Sequence, residues 1–237
     1  MSLLAHPALR LALAPVCLVQ GLAVRRRAQV LPEAAGPRSG RSGQGETLRL
    51  LILGDSSAAG VGAVHQNDAL SGRLAVELDG FDLHWRLEAR TGATTASTLA
   101  ALQAMPQGRF DAAVIALGVN DVTRQVPLRR WLAAQGTLWK VLQYRFGLRH
   151  AYLSGVPPMG LFPLLPQPLR GVLGARAAQF DAALAAQAAM RPAVRHLPFD
   201  AALLDSALMA ADGFHPGPEI YRLWAAHLAE AIRADFV

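Results

Sequence analysis

The sequence predicts a three-layer α/β domain on a sheet of about five parallel strands. Three observations predict it. Short apolar runs alternate with longer stretches of helical spacing from residue 47 to the end of the chain. Two of the runs, Leu48 to Leu53 and Ala112 to Leu117, are predominantly apolar, as strands buried on both faces are. Turn residues follow several of the runs directly, where α/β sheets place their sites.

The elements follow in order. Leu48 to Leu53 is an apolar run ending at Gly54, the pattern of a buried strand meeting a turn. Asn67 to Leu78 sets Leu70, Leu74 and Leu78 on one helical face. Leu83 to Ala89 alternates Leu83, Trp85, Leu87 and Ala89 and reads as a half-exposed strand. Thr94 to Met105 reads as helix, Ala112 to Leu117 as a second buried strand, and Leu128 to Phe146 as a longer helix. His150 to Ser154 is a further strand, Arg170 to Met190 an Ala-rich helix, Val194 to Leu197 a short strand, and Pro218 to Ala234 the closing helix. Between them, Val156 to Leu173 is long, apolar and rich in proline. It either lines an acyl groove or covers the sheet edge.

A chain of 237 residues with 52% hydrophobic and 17% charged residues has the composition of a folded domain and argues against disorder. The net charge of +6 is concentrated at the front: residues 1–49 hold seven arginines against Glu33 and Glu46. The remaining body is near neutral and has no basic stripe interleaved with aromatics, so nucleic acid is not an expected partner. The single Cys17 excludes an internal disulfide and a cysteine zinc site. His6, His65, His84, His150, His196 and His227 form no metal-ligand motif, so no metal is expected.

The chain divides into an apolar and basic segment over 1–31, a Pro, Gly and Ser-rich linker over 32–46, and a domain over 47–237. Leu11 to Val24 is apolar apart from Gln20 but falls short of the ~20 residues that cross a bilayer. Arg25, Arg26 and Arg27 follow the apolar stretch, whereas a secretory signal places its charge before it. Residues 1–27 therefore read in two ways of equal weight: a segment lying on an anionic membrane surface, or a helix packed on the protein body. The corresponding location is cytoplasmic or membrane-surface associated.

Four short elements carry chemistry. Ser56 follows the first strand on a turn containing Gly60 and Gly62, as an exposed nucleophile would, or as an ordinary helix cap. Gly92 can offer a backbone N–H with no side chain in the way, or simply end a strand. Asn120, in Gly118-Val119-Asn120-Asp121, can donate to a developing alkoxide or form an Asx-turn. Asp212 and His215 stand three apart, so a turn can aim one imidazole nitrogen at the carboxylate and leave the other as a base; a plain surface turn has the same spacing. Their conjunction in this order, on turns after strands and before the last helix, supplies the parts of acyl transfer.

With these blocks, GDSSAAGVG, ARTGATT, GVND and DGFHP, residues 47–237 resemble the SGNH hydrolases, also called GDSL esterases and lipases. Ser57 stands where many members have leucine, away from the catalytic positions. The resemblance implies a flavodoxin-like α/β/α sandwich with Ser56 as nucleophile, His215 as base and Asp212 as its partner. It implies an oxyanion hole from Gly92, Asn120 and the Ser56 N–H, with no cofactor. The implied substrate is a small-molecule or lipid ester, simple or lipid-like. A carbohydrate O-acetylesterase uses the same parts, and a flavodoxin-like binding domain without catalysis would keep the same turns. Three rivals lack their residues: there is no Lys-Ser/Thr phosphate-loop ending, no G-x-G-x-x-G and no G-x-S-x-G.

Overall fold

The computed structural model describes residues 7–200, 205 and 207–236. Six strands form one sheet in the order β1-β3-β2-β4-β5-β6. They are β1 (Ser39–Ser42), β2 (Glu46–Gly54), β3 (Phe81–Ala89), β4 (Ala112–Ala116), β5 (His150–Ser154) and β6 (Val194–Leu197). All neighbours pair in parallel except β1, which runs antiparallel to β3. Without β1, the order is that of flavodoxin-like domains.

The helices are α1 (Pro7–Arg27), α2 (Leu70–Glu77), α3 (Thr95–Ala104), α4 (Val119–Thr123), α5 (Leu128–Phe146), α6 (Leu169–Ala189) and α7 (Pro218–Phe236). The strand pleat sends alternate residues to two cores. On β2, Leu48, Leu50 and Ile52 join the core under α2 and α7, whose Leu70, Leu74, Tyr221, Trp224 and Leu228 close it. Leu51 and Leu53 face the opposite core, filled from α3, α5 and α6 by Leu102, Trp131, Leu142, Phe180 and Leu184. This two-sided burial explains why β4 and residues 50–53 of β2 are unbroken apolar runs.

Four expectations are refined. The stretch 32–46, expected to be a linker, contains β1, whose residues Ser-Gly-Arg-Ser are mostly exposed. Main-chain pairing with β3 and a two-pronged ion pair from Arg41 Nε and Nη2 to Asp82, at 2.6 and 2.9 Å, hold this polar edge in place. The expected helix over 67–78 is broken into a 3-10 turn (Gln66–Asp68) and α2, with extended backbone at Ala69 between them. The cause is the buried Gln66 side chain, which donates to the carbonyls of Ala34 and Ala59 and accepts from Ser71 Oγ. Helix α4 was not expected as helix. Finally, the 156–173 stretch holds a 3-10 turn (Met159–Leu161) and the start of α6, with Met159, Phe162 and Leu165 buried.

Helix α1 lies against α6. Gln20, polar within the apolar stretch of α1, donates to the Gln167 carbonyl at 2.6 Å and accepts from the Leu169 N–H at 3.0 Å, where α6 begins. Cys17 and Val24 pack on the same side, one helical turn to either side of Gln20. The opposite stripe, including Leu18 and Val19, is about two-thirds exposed, at 66% and 67%. Among the described residues, no helix is long and apolar enough to cross a membrane.

Candidate active site

Strand order reverses at β2: the chain goes first to β3 on one side and then to β4 on the other. The crevice between the carboxyl ends of β2 and β4 is where open α/β sheets bind ligands. Ser56 follows β2 and Asn120 follows β4, so both stand at this crevice. The Ser56 turn is closed by the Val61 N–H on the Ser56 carbonyl at 3.0 Å and the Ala59 N–H on the Asp55 carbonyl at 2.9 Å. Its far end presses on the segment carrying His215. Gly62, at φ +102°, would place a side chain within 2.1 Å of the Pro216 carbonyl, so only glycine permits this approach. From α7, the Tyr221 hydroxyl shares its proton between the carbonyls of Ser57 and Val61, at 2.8 and 2.7 Å.

Ser56 Oγ lies 2.8 Å from His215 Nε2, and His215 Nδ1 lies 2.5 Å from Asp212 Oδ2. The other Asp212 oxygen accepts from the N–H groups of Phe214 and His215, both at 3.0 Å. Burial acts most strongly on Asp212 and pushes its carboxyl up. The His215 hydrogen bond and the two backbone donors together outweigh it and leave the carboxyl below its ordinary range. An ionised Asp212 holds a proton on Nδ1, which leaves Nε2 as an acceptor facing the serine hydroxyl.

Asn120 Nδ2 donates to Asp55 Oδ2 at 3.1 Å, and Asp55 Oδ1 accepts from the Ser57 N–H and hydroxyl at 3.1 and 2.7 Å. Burial pushes the Asp55 carboxyl up, against the opposing pull of these Ser57 bonds. Asp121 is likewise buried and pushed up, and it accepts from the Thr95 N–H and hydroxyl at 3.0 and 3.1 Å. It thereby ties α4 to the start of α3, next to the turn that carries Gly92.

Gly92 sits on that turn at φ +77°, a backbone conformation that favours glycine. Among the described residues, neither the Gly92 N–H nor the Ser56 N–H donates to an acceptor. One Asn120 amide proton is engaged by Asp55, and its second has no acceptor among the described residues. The five residues singled out in the sequence thus include a hydrogen-bonded serine, histidine and aspartate, and three N–H groups that meet no acceptor among the described residues.

Beside Ser56 and His215 opens a cleft of about 60 Å³, lined by Leu117, Val119, Pro157, Phe162, Phe214 and Trp224 among others. Phe162 meets Phe214 edge-on, with centroids 5.0 Å apart, and Phe214 meets the His215 ring in the same way at 5.2 Å. Among the described residues, no three His, Cys, Asp or Glu side chains gather as metal ligands would. His84 and His196 instead pair with Asp82 and Asp181. Asp55 and Asp121 stood inside the sequence motifs without an assigned role, and their burial is what the sequence did not show.

Residues 52–223 match the GDSL-like Lipase/Acylhydrolase family. A GDSL-like esterase of Mycobacterium tuberculosis H37Rv, Rv1075c, is 29% identical over 198 residues, covering 78% of this chain and 62% of that protein. The chain thus spans somewhat under two-thirds of the length of that relative. The psychrotrophic esterase EstA from Pseudoalteromonas shares the fold at a TM-score of 0.60 and 20% identity, covering 79% of this chain and 98% of that one. Est24, a carbohydrate acetylesterase from Sinorhizobium meliloti, does so at 0.60 and 16%, covering 79% and 99%. The match over most of the chain identifies it as a member of the GDSL-like lipase/acylhydrolase family.

Proposed function

We propose that the chain cleaves carboxylic esters of short acyl groups by a serine mechanism run by Ser56, His215 and Asp212. The observation that carries it is the continuous hydrogen-bonded path from Ser56 Oγ through His215 to Asp212, opening onto an apolar cleft. Ser56 Oγ adds to the ester carbonyl carbon as its proton passes to His215 Nε2, and Asp212 stabilises the imidazolium. The oxyanion accepts from the N–H groups of Gly92 and Ser56 and from Asn120 Nδ2. As the C–O bond breaks, His215 returns the proton to the departing alcohol. Water then adds to the acyl-serine, giving its proton to His215; the acid leaves and Ser56 recovers its hydroxyl.

Cleft size selects the acyl group. A water needs roughly 10–15 Å³ of such space, so the enclosed part of the cleft, about 60 Å³, suits a short acyl chain. Its wall is apolar, which suits the methylenes of a simple ester better than the hydroxyls of a sugar. Hydrolysis of p-nitrophenyl esters from acetate to palmitate, with Ser56→Ala alongside, tests both statements. Activity lost in Ser56→Ala and an optimum at short chains are the expected results. Faster cleavage of palmitate than butyrate refutes the short-acyl assignment. Cleavage of sugar acetates alone would make a carbohydrate O-acetylesterase the better reading.

The surface of α1 supports contact with an anionic membrane as a second property. One stripe of the helix is docked, while Leu18, Val19 and Leu22 remain exposed beside Arg25, Arg26 and Arg27. Co-sedimentation with phosphatidylserine-containing liposomes should weaken on Leu18→Ser/Leu22→Ser substitution; unchanged binding removes α1 as the contact.

A further inference from the structure

The turn that carries Gly92 is a surface turn, yet both of its neighbouring peptides are anchored. It spans Arg90 to Ala93, closed by the Ala93 N–H on the Arg90 carbonyl at 3.0 Å. Arg90 and Thr91 are exposed, so packing alone does little to hold it. On one side of the donor peptide, the Thr91 N–H donates to Glu33 Oε1 at 2.7 Å. On the other, the Gly92 carbonyl accepts from Arg124 Nη2 at 2.9 Å. The peptide between, which bears the Gly92 N–H, is thus bracketed by two fixed planes.

Both anchors are themselves built in. Glu33 Oε2 pairs with Arg38 Nη1 at 3.1 Å, and Arg38 also donates to the Ala89 carbonyl at the end of β3. The Arg38 carbonyl accepts from the Leu87 N–H at 2.7 Å. Upstream, the same arm is pinned where Ala35 exchanges hydrogen bonds with Val64 and Gln66, at 3.0 and 2.7 Å. Arg124 lies one helical turn after Asn120, and its own N–H donates to the Asn120 carbonyl at 3.0 Å. Arg124 therefore links two separate N–H donors of the site, Gly92 and Asn120, through one residue.

We propose that Glu33, Arg38 and Arg124 are positioning residues for the Gly92 oxyanion donor, so the 33–38 arm belongs to the catalytic apparatus rather than to a tether. The inference rests on the oxyanion role of Gly92 under the proposed mechanism. An oxyanion donor acts only within about 2.7–3.1 Å of the charge that develops. Displacing a reacting group by about 1 Å costs on the order of a hundredfold in rate. The Glu33–Arg38 pair is solvent-accessible, with side chains 29% and 40% exposed, and exposed pairs contribute little to stability. Its signature is therefore a loss of turnover without a matching loss of fold.

The test uses the full chain with p-nitrophenyl butyrate, comparing wild type, Ser56→Ala, Glu33→Ala, Glu33→Gln and Arg38→Gln by kcat, KM and Tm. Glu33→Ala should lower kcat roughly ten- to a hundredfold, while KM and Tm stay near wild type. Glu33→Gln keeps an acceptor for the Thr91 N–H and should recover most of kcat. Arg38→Gln leaves that acceptor in place, should reduce kcat only a few fold, and supplies the reading if Glu33→Ala folds poorly. An active Ser56→Ala refutes the serine mechanism itself. An inactive Ser56→Ala beside Glu33→Ala and Arg38→Gln with wild-type kcat refutes the positioning role and leaves the mechanism standing. Equal impairment of Glu33→Ala and Glu33→Gln also overturns it, because the acceptor would then not be what matters.

Discussion

Replacing Asp212 by asparagine tests the mechanism most sharply, because the two groups have nearly the same shape and differ in what they donate. One Asp212 oxygen serves two backbone N–H donors at 3.0 Å, from Phe214 and His215, and the other faces His215 Nδ1 at 2.5 Å. An asparagine must assign its single oxygen to one side. Turning its NH2 toward the two N–H groups would strand both donors, at about 1–3 kcal/mol each. The oxygen therefore stays on the backbone side and the NH2 meets Nδ1. His215 must then accept at Nδ1 and carry its proton on Nε2, pointing at Ser56 Oγ. A nitrogen that already bears a proton cannot take the serine's. A wrong tautomer of this kind lowers turnover by about 10⁴, or roughly 5.5 kcal/mol of barrier. Steady-state hydrolysis of a short p-nitrophenyl ester reads kcat directly, with a cooperative thermal transition as the check on folding. A kcat within tenfold of wild type would refute the assignment of Asp212 as the group that fixes the imidazole tautomer.

The remaining predictions follow from the same contacts. Asp55→Asn presents an amide to donors on both sides, the Ser57 N–H and hydroxyl on one and Asn120 Nδ2 on the other. It should misplace Asn120 and lower kcat by about 10²-fold, approaching the loss from Asn120→Ala; wild-type kcat would separate Asp55 from the site. Phe162→Ala removes a buried ring from the cleft wall, so the preferred acyl chain should lengthen by two or more carbons, at a stability cost of about 3–5 kcal/mol by thermal melting. Because Asp212 is held below its ordinary range when folded, its contribution to stability is present above the unfolded value of about 3.9 and lost as pH falls. The Tm gap between wild type and Asp212→Asn should therefore shrink from pH 6 toward pH 3; a constant gap would mean that the native contacts do not favour the charged form.

How much of this was legible in the sequence depends on how far each feature reaches along the chain. Helix α5 begins after Pro127 and ends at Gly147 in the left-handed conformation, and both punctuation marks are local, so its bounds could be read directly. Strand β4, Ala-Ala-Val-Ile-Ala, was legible for the same reason, as a short apolar run ending at the turn of Gly118. Strand β1 was not, because Ser-Gly-Arg-Ser has the composition of a linker. What makes it a strand is Arg41 meeting Asp82 and main-chain pairing to residues more than 40 positions away. Gln66 breaks an otherwise good helical pattern by reaching the Ala34 carbonyl, again a partner that sequence spacing cannot show. The site divides along the same line. Ser56, Asn120, Asp212 and His215 could be singled out because the chemistry demands those residue types in that order. Glu33, Arg38 and Arg124 could not, since any group with the right reach would serve and only the fold puts these against the turn at Gly92. Residues chosen for chemistry announce themselves by type, whereas residues chosen for position are visible only once the chain has folded. This is why the reading of 32–46 as a linker and the proposal of a positioning arm concern the same few residues.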